Sequence, residues 1–258
     1  MKKTFLLFAG LAFLAFKNQA QTVTDVDNNV YNTVTIGTQV WMKENLKVTH
    51  YSNGNLIPNV TDSTAWANLS SGARCYYDND STNYSSTYGA LYNYYTIIDN
   101  SKLCPVNWHI PSDAELMILL AFLGGDSIAG GKMKETGTLH WQSPNTGATN
   151  SSGFTAIPGG WRRSPNSGPE DFVSIGQDGM WWFSPLQYLN GVYLNIWYGS
   201  KNVIEMITGS GDGMKSGFSV RCLRDLAAQI NEIKNKTEIE FYPNPAIDRI
   251  NINCANTG

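Results

Sequence analysis

The clearest pattern in the chain is helical and is carried by four leucines spaced three to four residues apart. These are Leu116, Leu119, Leu120 and Leu123. Side chains at this spacing share one face of an α-helix. Ser112 precedes the stripe and Glu115 stands three residues later, the capping-box pattern of a helix N-terminus, while Gly124-Gly125 end it. We therefore predict a helix over residues 112–123 and a second short helix near residues 128–134.

Elsewhere apolar and polar positions alternate over short segments bounded by Gly, Asn and Asp, a pattern that predicts β-strands joined by turns. A β-hairpin is expected over residues 22–46. In the last strand, Phe218, Val220 and Cys222 should share one face. Further strands are expected at residues 73–77, 153–161, 179–184, 190–197 and 217–225. Short strands, long loops and one clear helix together indicate an α+β domain.

Composition narrows the classes of function. Charged residues make up 15% of the 258 residues, and the formal net charge is −3. No basic stripe interleaved with aromatic residues occurs, which argues against nucleic acid as a partner. Aromatic residues are abundant, with 8 Trp, 13 Tyr and 10 Phe. About 200 residues between the two ends suffice for one domain with a core.

The N-terminus has the three parts of a secretory signal peptide. Lys2 and Lys3 give a positive start, residues 5–16 are apolar, and Ala20 offers a small residue at the cleavage point. The apolar run is shorter than the roughly 20 residues that span a bilayer. We predict a signal peptide at residues 1–20, no transmembrane helix after cleavage, and a secreted or cell-surface location. An uncleaved membrane anchor is the alternative.

The C-terminus carries a second candidate export signal. Two prolines in residues 242–245 exclude a helix, and Ile250 and Ile252 alternate with polar neighbours, so a turn leading into a strand is expected. Residues 242–245 resemble the opening of the type IX secretion C-terminal sorting domain. The resemblance implies that residues 239–258 are the truncated start of such a domain, after a linker at 226–238, with the outer-membrane secretion machinery as a partner. An ordinary proline-containing loop is the alternative.

Four cysteines stand at positions 75, 104, 222 and 254. An exported protein meets oxidising conditions, so disulfides are expected, and four cysteines allow three pairings. Cys254 lies in the C-terminal segment, which makes it a poor candidate. No CxxC motif or His/Cys cluster indicates zinc.

His109 is a candidate general base because it lies beside Trp108 and just before a predicted helix N-terminus. Only His50 and His140 accompany it, and no GxSxG, HExxH or Gly-rich phosphate loop occurs. A packed structural histidine is the interpretation we favour. We predict no catalytic residue and no cofactor, and lean against an enzyme.

Two oxygen-rich turns are candidate calcium sites. Asp78, Asn79 and Asp80 form one cluster, and Glu170 and Asp171 form the other. The first lacks the later Gly and Glu of an EF-hand loop. We favour plain turns for both, with calcium binding as the alternative.

Four tryptophans are candidate ligand-facing aromatics: Trp161, Trp181, Trp182 and Trp197. Flat aromatic rings stack on the C–H faces of sugars, which would make a carbohydrate platform. Tryptophan also fills protein cores. We expect most of the four to be buried and one or two to be exposed.

Several runs, in order along the chain, resemble the Fibrobacter succinogenes major paralogous domain, a family of exported bacterial proteins. The runs are residues 36–41, 88–93, 104–111, 153–154, 158–160, 181–182 and 217–222. The resemblance covers residues 22–225 and implies a disulfide between Cys104 and Cys222. In many members the counterpart of Cys75 has a nearby cysteine partner. Here Tyr84 is the nearest replacement, so Cys75 is expected to be unpaired, and the family implies no catalytic residue.

A weaker similarity links residues 108–115 and 217–221 to the framework motifs of the formylglycine-generating-enzyme fold, a relative of C-type-lectin-like folds. It implies a compact lectin-like α+β domain, while the paired catalytic cysteines of that enzyme have no visible counterpart here. We therefore expect a secreted or cell-surface binding or adhesion domain whose ligand is an extracellular glycan or protein. An extracellular polysaccharide-active enzyme and a structural surface component are the alternatives.

Overall fold

The computed structural model describes residues 21–165, 168, 171–184, 191–208 and 211–226, together with two strands at residues 238–242 and 251–255. The predicted signal peptide at residues 1–20 lies outside the described residues. So does most of the predicted linker, at residues 227–237.

The described chain is a mixed structure with more strands than helices. The strands are β1 Thr22–Thr24, β2 Val30–Ile36, β3 Gln39–Met42, β4 Arg74–Cys75, β5 Leu91–Tyr92, β6 Trp108–His109, β7 Gly159–Arg162, β8 Phe172–Ile175, β9 Asp178–Phe183, β10 Val192–Trp197, β11 Val203–Ile207, β12 Leu223–Arg224, β13 Glu238–Tyr242 and β14 Asn251–Ala255. The α-helices are α1 Ser63–Ala67, α2 Ser81–Tyr88, α3 Tyr94–Ile97, α4 Asp113–Leu123 and α5 Asp126–Met133. This content is compatible with the predicted α+β class.

The strands form two larger sheets and three small ones, and every strand pair is antiparallel. The larger sheets have the strand orders β1-β2-β3-β12-β6 and β11-β10-β9. The small sheets are β4-β5, β7-β8 and β13-β14. Thus β12, from the end of the domain, lies between elements from its beginning and middle.

The described residues form three hydrophobic clusters, and the two larger ones lie on opposite sides of the segment that carries β12. The first contains Phe218, Val220 and Cys222, which confirms their predicted common face. The second contains the adjacent Leu223 and lies against α4 and α5. The Cys104–Cys222 disulfide is present and joins residues 118 positions apart.

Helix α4 confirms the strongest prediction from the sequence. The Ser112 side chain accepts a hydrogen bond from the backbone N–H of Glu115, and the Glu115 side chain accepts one from the N–H of Ser112. All four leucines of the stripe are buried. Gly124 ends the helix in the left-handed conformation, and α5 follows at Asp126–Met133, close to the predicted second helix.

The predicted strand at 153–161 is shortened to β7, because Gly153 and Thr155 adopt positive φ angles that interrupt an extended chain. The predicted strand at 217–225 is regular only in β12, and residues 217–219 make isolated bridges instead. The hairpin expected at 22–46 is present as β1, β2 and β3. Helices α1, α2 and α3 and strands β5, β6, β8 and β11 were not predicted.

At the C-terminus, β13 and β14 pair as an antiparallel hairpin, with Glu238 opposite Ala255. The predicted strand is therefore present as β14, the predicted turn lies outside the described residues, and the type IX sorting signal remains a prediction. Among the described residues no single helix is long and apolar enough to cross a membrane. The bent pair α4–α5, with an angle of 86°, passes that test by length and composition only.

Candidate functional site

A continuous row of aromatic rings crosses one side of the domain. It runs in the order Phe172, Tyr77, Tyr84, Tyr88 and His140, and we call these five residues the aromatic row. Successive ring centroids are 5.5, 5.2, 6.0 and 5.8 Å apart. Tyr77 is buried, whereas the other four rings are partly exposed. Neighbouring rings are tilted by 43–83°, so the row presents both faces and edges of rings.

Helix α2 places two of these rings side by side. The Asp80 side chain accepts a hydrogen bond from the backbone N–H of Asn83 and so caps the N-terminus of the helix. Tyr84 and Tyr88 are four residues apart and therefore lie on one face. Asn45 fixes the C-terminal end of the helix, because its side-chain amide donates a hydrogen bond to the carbonyl oxygen of Tyr88 at 2.9 Å.

The floor beneath the rings is the glycine pair that begins β7. A Cβ atom on Gly160 would lie 2.6 Å from Cε2 of Tyr77, and one on Gly159 would lie 3.6 Å from the Tyr88 ring. Tyr77 therefore rests directly on main chain where a side chain would otherwise stand. This packing explains why the chain has glycine at position 160, whereas a Cβ on Gly159 would make only ordinary contacts.

Charged groups close both ends of the row. At one end the His140 ring contacts Tyr88, and its Nδ1 lies 2.7 Å from a carboxylate oxygen of Glu135. At the other end the guanidinium of Arg162 lies 5.0 Å from the centroid of Phe172 and 3.2 Å from a carboxylate oxygen of Asp171. The Arg162 side chain is only 1% exposed, so Asp171 is the group that a ligand along the rings could reach at this end. At the other end such a ligand would meet the partly exposed His140 and Glu135.

The middle of the row carries two unused hydroxyl groups. Within the described ranges, neither the Tyr84 nor the Tyr88 hydroxyl has a hydrogen-bond partner. Burial, with the nearby Tyr84 and Glu135, raises the pKa of Tyr88, so this phenol is a neutral donor at neutral pH. Ring faces beside free hydroxyls and carboxylates are the groups that bind polyhydroxylated ligands.

The four tryptophans of the predicted platform do not lie together. Trp181 and Trp182 are 2% and 0% exposed and belong to the second and first core clusters respectively. These two rings therefore cannot face a ligand, in agreement with the expectation that most of the four are buried. Trp161 is partly buried against Phe218, and Trp197 is 44% exposed with its ring over Gly199.

His109 holds three segments together through both ring nitrogens. Its Nδ1 lies 2.6 Å from Asp225, and its Nε2 lies 2.9 Å from Glu115. The hydrogen bond to Glu115, followed by that to Asp225, raises the pKa of His109 against the opposing effect of burial. Because both nitrogens are engaged, this geometry supports the structural interpretation over a general base.

The other two histidines are also paired with carboxylates. His50 Nδ1 lies 2.6 Å from Asp27, and His140 is paired with Glu135. Among the described residues, no group of three or more His, Cys, Asp or Glu side chains is placed to hold a metal ion.

The candidate calcium residues lie in turns. Asp78 and Asn79 have positive φ angles of 50° and 57°, and Asn79 also donates to the carbonyl oxygen of Thr61. Asp171 pairs with Arg162, and Glu170 lies outside the described residues. Asn79 and Asp171 thus have local roles in shaping the chain beside the aromatic row.

Cys75 is a free, fully buried thiol. Burial raises its pKa to about 12, which outweighs the opposing influence of Arg162. Because the thiolate is the reactive form, this cysteine is chemically inert in the folded protein. Cys254 lies in β14, whose side chains are outside the described part of the chain.

The profile of the Fibrobacter succinogenes major domain matches residues 34–224. The chain belongs to this family. Two of the runs that carried the resemblance build the aromatic row: residues 88–93 contribute Tyr88, and residues 158–160 contribute the glycine floor. No curated protein and no solved structure matches the chain.

Sequence reasoning missed the aromatic row because its members come from segments far apart in the chain. The one local signal is the spacing of Tyr84 and Tyr88 after a possible N-cap at Asp80. Nothing local connects them with Phe172 or His140. The row exists only once β8 brings Phe172 against Tyr77 and the loop of residue 140 brings His140 against Tyr88.

Proposed function

We propose that this member of the Fibrobacter succinogenes major domain family is a secreted or cell-surface binding domain that engages extracellular carbohydrate along the aromatic row. The observation that carries the proposal is the row itself: five consecutive rings with two free hydroxyl groups at its centre. Pyranose rings have apolar C–H faces and polar hydroxyl edges. Tyr84 and Tyr88 match this chemistry, since each offers a ring and a hydroxyl.

The predicted export signals, which lie on either side of the domain, also support the proposal. The N-terminal pattern of a signal peptide and the type IX-like run at residues 242–245 would deliver the domain to the cell exterior. There the outer-membrane secretion machinery would be its transport partner, and polysaccharide would be an accessible ligand. A lectin-like arrangement of short strands and ordered loops fits this role, and we include it in the proposal.

The test is a glycan-array screen with the purified protein, followed by affinity measurement on the best ligand. Replacing both rings, as Tyr84→Ala with Tyr88→Ala, should weaken binding by about 1–3 kcal/mol, or roughly 5- to 150-fold, if each ring contributes 0.5–1.5 kcal/mol. The double Phe variant keeps the rings and removes only the hydroxyl groups, so it should lose less.

Trp197→Ala is the matched control, because Trp197 is an exposed aromatic outside the row. It should bind as the unmodified protein does. Binding that depends on Trp197 and ignores both tyrosines would refute the site. Absence of binding to every glycan on the array would refute the carbohydrate ligand.

A further inference from the structure

Strand β11 forms an open edge of the β11-β10-β9 sheet. In the described chain it pairs with β10 alone. The backbone N–H of Thr208 donates to the carbonyl oxygen of Gly191 at 2.7 Å, and the register places Met206 opposite Tyr193. Because bonding alternates along an antiparallel ladder, the N–H and C=O groups of Glu205 and Ile207 point away from β10.

The side chains along this edge are apolar and exposed. Ile204, Met206 and Ile207 are 54%, 44% and 68% exposed. Natural edge strands are usually protected by lysine, proline or a bulge. The sequence of β11, VIEMI, contains no lysine and no proline.

The only charge on the strand is partly suppressed by its surroundings. Burial and contact with Asp113, with Asp126 further away, raise the pKa of Glu205 to about 7. The charge of Glu205 is therefore reduced near neutral pH, which lowers its repulsion of a second strand.

Helix α5 limits where another strand can pair. A Cβ atom on Gly130 would lie 2.4 Å from the carbonyl oxygen of Asn202, and the N–H of Gly131 donates to the carbonyl of Lys201. The helix thus meets the beginning of β11. The accessible part of the edge is residues 204–207.

We propose that two copies of this protein pair antiparallel through β11, about a two-fold axis at Met206, and join their three-stranded sheets into one of six strands. Outward-pointing backbone groups require an extended strand as partner, which identifies the class of occupant. A second copy of β11 fits because, in an antiparallel pair, the outward-pointing N–H and C=O groups of each strand meet those of the other. In this register Glu205 exchanges backbone hydrogen bonds with Ile207 of the partner subunit, and Met206 meets Met206 of the partner subunit.

The register also avoids unfavourable pairs. No like charges stand opposite each other, since Glu205 faces an isoleucine. The exposed methionine, flexible and apolar, packs against its own copy. This self-association is independent of the proposed carbohydrate site, because the aromatic row lies on α2, β8 and the loop of His140.

Analytical ultracentrifugation of the full chain tests the interface. The unmodified protein should show a concentration-dependent monomer–dimer equilibrium, and Met206→Lys should raise the dissociation constant at least roughly tenfold, because two lysines would meet at the axis. Ile118→Lys is the control, since Ile118 is an apolar residue on α4 with 52% exposure. It should leave the equilibrium unchanged.

Cysteine cross-linking tests the register. Residues opposite each other in a pair without mutual hydrogen bonds have Cβ atoms about 4.5–5.5 Å apart, so Met206→Cys should form a covalent dimer under mild oxidation. Ile204→Cys should not, because the two copies of residue 204 lie four residues out of register. Both variants are made in a Cys254→Ser background, and the buried Cys75 does not compete.

Unchanged melting temperature and near-ultraviolet circular dichroism confirm that each variant is folded. A protein that stays monomeric up to its solubility limit would overturn the proposal. So would dissociation by Ile118→Lys without any effect of Met206→Lys, which would place the interface on α4. Preferential cross-linking at residue 204 would overturn the stated register.

Discussion

Replacing Gly160 by alanine should destabilise the protein strongly, whereas the same change at Gly159 should not. Gly160 has a φ of +61°, in the left-handed region, and an added Cβ would lie 2.6 Å from Tyr77 Cε2 and 2.6 Å from the carbonyl oxygen of Val173. Neither neighbour can move freely, since Tyr77 is buried in the aromatic row and Val173 belongs to the paired strand β8.

Two costs add at Gly160. The left-handed conformation costs a residue with a Cβ about 1–2 kcal/mol. Overpacking a well-filled site costs about 1–3 kcal/mol. We therefore expect Gly160→Ala to lower the free energy of unfolding by about 2–5 kcal/mol.

Gly159→Ala provides the matched control one residue away. The closest atom to its added Cβ would be the Ser219 hydroxyl oxygen at 3.5 Å, an ordinary contact, and its φ is not positive. Loss of backbone freedom in the unfolded chain offsets any small strain, so the change should stay within about 1 kcal/mol. Denaturant unfolding of both variants at neutral pH, with the disulfide intact, measures the difference. Equal losses at the two positions would refute the packing argument.

Three further predictions concern stability. Removing the Cys104–Cys222 disulfide, as the double serine variant, should lower the unfolding free energy by about 4–5 kcal/mol in the chain-entropy model, and an unchanged denaturation midpoint would contradict this. Glu205→Gln should be as stable as the unmodified protein below pH 4 and more stable by up to about 1 kcal/mol at pH 8. The reason is that the pKa of Glu205 is raised to about 7 in the folded state, so the unmodified protein loses stability as the pH rises through 7. Thermal melts between pH 4 and pH 8 measure the difference. His109→Gln should lower the free energy of unfolding by about 1 kcal/mol at pH 5 and by less at pH 9. The raised pKa of His109 means that the ion pair with Glu115 stabilises the folded protein fully only below about pH 6.5. A loss of stability that grows with pH would contradict this ion pair.

Helix α4 could be predicted because every signal that defines it is local. Ser112 and Glu115 satisfy each other across one turn, the leucines of the stripe share one face, and Gly124 provides the left-handed C-terminus. The same holds for the β1–β3 hairpin, where alternation and turn residues are adjacent in sequence. These elements need little from the rest of the chain.

Helix α2 was missed because its sequence, STNYSSTY, has no apolar stripe and none of its residues is buried. Apart from the local Asp80 cap, its stability comes from the packing of Tyr84 and Tyr88, which is a tertiary effect. Strand β11 was missed because it is exposed on both faces, so alternation carries little information there.

The tryptophan prediction shows a further limit of alternation. Trp181 and Trp182 are neighbours in β9 and point to opposite faces, so a strand covered on one side would expose one of them. Here both faces of β9 are covered by core clusters. Residues that cover the second face come from distant segments, so the sequence of β9 alone cannot reveal that both rings are buried.

The most direct test of the carbohydrate proposal is isothermal titration of the folded protein with the glycan that binds best on the array, for the unmodified chain and for the Tyr84→Ala, Tyr88→Ala double variant. The account predicts saturable binding by the unmodified chain and a roughly 5- to 150-fold weaker association for the variant, with both proteins equally folded by circular dichroism. Equal affinities for the two proteins would contradict it, because binding would then not involve the aromatic row.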